Sequence, residues 1–120
     1  MSRLFAVTVL AFATVANAVD RLAAEDARIE YLLAVVGSLH DAQFIRNGTA
    51  YDSAAAVRHL RAKLGIAGPR VKSAEDFIRY CGSESSVSGK PHEIRFPDGL
   101  RAADFLRQKL IDFDRANGRR

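Results

Sequence analysis

This chain predicts an α+β fold, mainly α, in which about four amphipathic helices pack with a small two-stranded β ribbon. Apolar residues recur at helical spacing in four separate segments, and only Phe44 to Arg46 and His92 to Phe96 read as extended. Two such isolated strands satisfy their backbone groups by pairing with each other.

The first helix runs from about Leu22 to Leu39. Ile29, Leu32, Leu33 and Val36 share its inner face, Asp26, Arg28 and Glu30 occupy polar positions, and Gly37-Ser38 weakens its end. After a connector from His40 to Gln43, Phe44-Ile45-Arg46 leads into Asn47-Gly48, a dipeptide that favours positive φ and a tight turn. Thr49-Ala50-Tyr51 makes a poor return strand before Asp52-Ser53, so Phe44 to Arg46 is assigned His92 to Phe96 as its partner. Asp52 or Ser53 caps a second helix, Ala54 to Leu64, stopped by Gly65. Val57, Leu60 and Leu64 form its apolar stripe, and Arg58, His59, Arg61 and Lys63 make the remainder basic.

Ser73 and Asp76 form a variant capping box that opens a third helix, Ala74 to about Cys81. Ala74, Phe77, Ile78 and Cys81 fall at i, i+3, i+4 and i+7, which places the lone cysteine on the buried face. His92-Glu93-Ile94-Arg95-Phe96 alternates as a half-buried strand with Ile94 and Phe96 inward, closed by the turn Pro97-Asp98-Gly99. The last helix, about Ala102 to Arg115, turns Phe105, Leu106, Leu110 and Phe113 inward.

The N-terminus reads as a cleavable signal peptide, residues 1–18. Arg3 precedes an apolar run, and Ala16-Asn17-Ala18 supplies the small-residue cleavage signal. Leu4 to Ala18 is 15 residues, short of the roughly 20 that span a bilayer. Residues 19–120 then form a single exported globular domain, with no stable membrane insertion after cleavage. Losing Arg3 from 18 Lys and Arg leaves 17 against 14 Asp and Glu, a net charge of +3. So mild an excess gives no electrostatic footprint for nucleic acid.

Chemistry concentrates in Ser83 to Pro91, where four serines, Gly89 and Lys90 gather hydroxyls, backbone N–H groups and one ammonium. A nucleotide loop is excluded. Six residues separate Gly82 from Gly89, Pro91 replaces the hydroxyl residue, and the order is helix, loop, strand. A small serine-dependent hydrolase, with one of the loop serines, His59 as base and Asp52 or Asp76 as acid, is an alternative, although no G-x-S-x-G elbow is present. The isolated histidines His40, His59 and His92 have no metal-ligand spacing, and neither a metal nor another cofactor is implied.

A polar cluster drawn from separate segments remains. Arg46 and Asn47, His59 and Lys63 at i, i+4, and Ser85, Ser86, Ser88 and Lys90 would form a basic, serine-rich site. Its expected partner is a periplasmic protein, peptide, glycan or small anion, and none of these residues is assigned a catalytic role. The structural alternative makes the same residues a hydrogen-bonded clamp between the serine loop and the strand pair.

Four blocks in order, Phe44 to Gly48, His59 to Lys63, Ala74 to Ile78 and Ser85 to Pro91, carry a resemblance that covers nearly all of residues 19–120. The pattern resembles the domain-of-unknown-function family 5329, small exported YfeK-like proteins of Gram-negative bacteria. That resemblance implies a periplasmic location and groups the polar blocks together, without implying an activity or catalytic residues. Where such proteins tend to carry an aromatic after Lys-Pro and a Trp in the last helix, this chain has His92 and Phe105.

Overall fold

The computed structural model describes residues 21–84, 88–96 and 100–118. The expected signal segment, the turn Pro97-Asp98-Gly99, and Ser85 and Ser86 lie outside them. The described residues form the mainly helical α+β architecture that the sequence predicts: α1 (Ala23–Ser38), β1 (Gln43–Arg46), β2 (Thr49–Tyr51), α2 (Ser53–Ala67), α3 (Ala74–Phe77), β3 (Glu93–Arg95), β4 (Leu100–Arg101) and α4 (Ala102–Ala116). Among them no helix is long and apolar enough to cross a membrane.

The strands join in one antiparallel sheet of order β2-β1-β3-β4, with four strands where the sequence predicts two. The expected pairing of β1 with β3 is present and sets Phe44 opposite Ile94, both buried. A cross-strand apolar pair of this kind contributes roughly 0.2–1 kcal/mol. Contrary to expectation, Thr49-Ala50-Tyr51 does return on β1. Asn47 at φ 54° and Gly48 at φ 78° form a two-residue turn whose twist matches the strands, so the turn supplies what the weak strand sequence lacks.

Asp52 caps α2 by accepting from the Ala55 N–H at 2.8 Å, a contribution of about 1 kcal/mol. The helix runs through Gly65 and stops before Gly68-Pro69, three residues later than the spacing predicts. Exposed Gly65 costs a helix only about 1 kcal/mol, whereas proline disfavours helical geometry in the residue before it. The expected third helix begins as foreseen, with the Ser73 hydroxyl accepting from Asp76 N–H at 3.0 Å. The Asp76 carboxylate reaches past the usual capping partner to Lys72 N–H. After Phe77 it widens into a π-helical turn, Ile78–Gly82. A Cβ on Gly82 would lie 2.8 Å from Leu106 Cδ1, so glycine there lets the π turn meet α4 closely.

The core lies among α1, α3 with its π turn, the sheet and α4, and includes Leu32, Leu33, Phe77, Ile78, Cys81, Ile94 and Leu106. Cys81 is fully buried, as its spacing predicts, and burial pushes its thiol pKa up. A charged staple fastens the helical side. Arg28 is 3% exposed and donates to Glu25 at 2.7 Å, to both Glu75 oxygens at 2.9 and 2.7 Å, and to both Asp114 oxygens at 3.0 and 2.8 Å. Glu25 also accepts from the Ala74 N–H at 2.9 Å, so α1 caps α3 while α4 closes on the guanidinium. Hydrogen bonding with Arg28 holds the Glu75 pKa below the usual carboxylate range.

Candidate functional site

A cavity of about 50 Å³ lies between α2, the sheet, α1 and α4. Val36, Phe44, Ala56, Leu60, Ile94 and Leu106 supply its apolar walls, and the basic residues Arg46, His59, Lys63 and His92 also border it. Each basic group arrives by simple geometry. Arg46 sits at the end of β1, beside the turn. Ala56, His59, Leu60 and Lys63 follow one another at i, i+3, i+4 and i+7 along the face of α2 that borders the cavity.

His92 is fixed by its backbone. Its N–H donates to the Ser83 carbonyl at 2.9 Å, and its carbonyl accepts from Ala102 N–H at 2.9 Å. The π turn and the start of α4 therefore set this imidazole into the cavity wall. Ser83 is itself held by a 2.7 Å hydrogen bond from its hydroxyl to the Ile78 carbonyl.

The electrostatics are one-sided. Glu93 is the only carboxylate side chain among the described residues that border the cavity, and it pairs with Arg95 at 3.4 Å. Lys63 Nζ donates to the Glu84 carbonyl at 2.8 Å and lies 3.2 Å from His92 Nε2. Burial, reinforced by Lys63, Arg46 and His59, pushes the His92 pKa down to about 4. His59 is lowered by burial and by Arg46, Arg58 and Lys63, and Lys63 is lowered chiefly by burial. Arg46 Nε and His92 Nδ1 are sealed from solvent with no hydrogen-bond partner among the described residues. A buried polar group left in that state costs about 1–3 kcal/mol.

The structure brings Arg46, His59 and Lys63 to the cavity, whereas the other described members of the expected site, Asn47, Ser88 and Lys90, do not line it. Ser88 hydrogen-bonds Asn47, and its hydroxyl accepts from the Lys90 N–H at 3.2 Å, so these three residues form an exposed clamp between the loop and the β1–β2 turn. The His59 ring meets the edge of Tyr51 at 4.7 Å. Among the described residues no three His, Cys, Asp or Glu side chains assemble as metal ligands.

A family model described as "Family of unknown function (DUF5329)" matches residues 23–114. The chain belongs to this family. It is 44% identical over 68 residues to "Uncharacterized protein YfeK" of Salmonella typhimurium strain LT2, an alignment covering 57% of this chain and 57% of that protein. No solved structure matches.

In this member of the DUF5329 family, the cavity residue the site reading lacks is His92. Its signal was present. His92 stands two residues before Ile94, so it shares the inward phase of the strand and is 9% exposed. Proximity to Lys63 is a matter of tertiary structure, because the serine loop and the π turn intervene in deciding where the imidazole lands.

Proposed function

We propose that this DUF5329 protein is a small exported binding module that captures an anionic partner at the cavity formed by Arg46, His59, Lys63 and His92. One observation carries the reading: several basic groups converge on a largely apolar cavity, and the only bordering carboxylate among the described residues pairs elsewhere. Without an anion this arrangement is costly, since the half-buried cations Arg46 and Lys63 repel and lose hydration; with one, the same groups become charge-assisted donors. Arg3, the apolar run after it and Ala16-Asn17-Ala18 support export to the periplasm with cleavage after Ala18.

For the serine loop a second reading is favoured by the Ser88–Asn47 hydrogen bond. Ser88, Asn47 and Lys90 act as a clamp that holds the loop to the turn, while the cavity binds. Calorimetric titration of the protein with carboxylates, phosphate and acidic peptides tests the binding reading. Saturable binding of at least one anion is expected, weakened about tenfold or more by Arg46→Ala and by Lys63→Ala. Lys90→Ala should leave the affinity within a few-fold. No binding of any anion, or binding indifferent to both cavity substitutions, rejects it.

A further inference from the structure

The identity of the anion follows from the donors and the space, given that the cavity binds an anion at all. Lys63 is an ammonium with donors only, so at 3.2 Å it makes His92 Nε2 the acceptor and leaves the ring proton on Nδ1. That places an N–H on the one His92 nitrogen that has no partner. Arg46 Nε–H is the second such donor. Two unanswered donors beside one cavity call for two acceptor oxygens.

A tetrahedral oxyanion has four oxygens, two more than these unanswered donors take, in a cavity walled largely by apolar residues such as Phe44, Leu60, Ile94 and Leu106. A planar carboxylate has two. The space sets the rest. About 50 Å³ is a few times the minimum that holds one water, and it gives room for a short alkyl group.

We propose that the occupant is a free short-chain monocarboxylate, its oxygens accepting from Arg46 Nε–H and His92 Nδ1–H and its alkyl end resting on Phe44, Leu60, Ile94 and Leu106. Both donors are sealed, so entry displaces the half-buried Arg46 side chain, whose rotamers are freer than the paired strand that carries it. Lys63 remains beside the imidazole and keeps its tautomer fixed.

Ring ¹⁵N NMR of the folded protein, titrated with propionate, butyrate, sulfate, phosphate and a short peptide with a free C-terminus, tests this. Propionate and butyrate should shift His92 Nδ1–H saturably, and sulfate and phosphate should not. Arg46→Met should weaken propionate about tenfold or more. His92→Asn, which keeps an N–H near the Nδ1 position, should retain binding that His92→Phe loses, with thermal melts reporting whether each variant is folded. The wild-type titration decides the matter even if the His92 variants fail to fold. If phosphate, sulfate or only the peptide binds in an Arg46-dependent way, the monocarboxylate is overturned and anion capture stands. If no anion perturbs His92 or binds elsewhere in the cavity, both fall.

Discussion

Two clusters of buried charge sit in this small fold, and they are built on opposite principles. Around Arg28, one guanidinium meets three carboxylates from α1, α3 and α4. Around His92, two cations and two imidazoles crowd a cavity whose one bordering carboxylate, among the described residues, turns to Arg95. A compensated cluster fastens helices together. An uncompensated one costs stability and persists where it serves something other than stability.

Breaking the first cluster should have the largest effect. Arg28→Met removes the cation that Glu25, which is 7% exposed, and Asp114 share. Removing one partner of a buried ion pair typically costs about 3–5 kcal/mol, and chemical denaturation should show a loss of that size. A loss below roughly 1 kcal/mol would mean that Arg28 is not the fastener of α1, α3 and α4.

Acid separates the clusters next. A folded pKa near 4 against 6.5 unfolded means that the unfolded chain binds more protons between those values, so stability should fall as the pH drops through that window. His92 alone accounts for about 3 kcal/mol at the lower end. His59 acts in the same direction, and the charged groups around this pair are Arg46, Arg58, Lys63, Glu84 and Glu93. The Glu75 carboxylate, lowered from 4.5 by Arg28, holds its contribution until the pH falls below that value. Denaturant midpoints measured from pH 7 to 3 should show two successive losses, with the first much reduced in a folded His92 variant, where only the His59 share remains.

Neutralising a cation on the cavity side should reverse the sign seen at Arg28. Lys63→Met removes an ammonium whose desolvation and like-charge neighbours oppose it, at the expense of one hydrogen bond to the Glu84 carbonyl. Stability should stay level or rise by up to about 1 kcal/mol. The His92 titration, followed by NMR, should move up toward 6.5. A loss comparable to that of Arg28→Met would show that Lys63 is a fastener as well.

Sequence patterning revealed the helices because each buries a stripe, and it revealed β1 with β3 because Phe44 and Ile94 need each other. It concealed β2 and β4, which are two or three residues long and owe their pairing to turns and neighbours more than to apolar alternation. Of the site, Arg46, His59 and Lys63 were legible as basic residues on ordered elements. His92 was read as the start of a strand, though its inward phase was visible. Of the Arg28 staple only the i, i+3 spacing to Glu25 was visible in the sequence, because the other two partners lie 47 and 86 residues away.

The smallest effect is expected at the clamp between Ser88 and the β1–β2 turn, which tests whether it belongs to either cluster. Asn47 combines two jobs: it holds φ at 54°, and it bonds Ser88. Asn47→Gly keeps the first and loses the second, while Asn47→Ala loses both. Glycine should therefore cost a few tenths of a kcal/mol and alanine about 1 kcal/mol more, measured by thermal melts. Ser88→Ala should cost somewhat more than the glycine variant, because the Ser88 hydroxyl also accepts from the Lys90 N–H. Equal losses for glycine and alanine would put the energy in the hydrogen bond and not in the turn. A change in anion affinity with stability unchanged would instead join the clamp to the cavity, since a clamp that only holds the loop has no means of distinguishing an occupied site from an empty one.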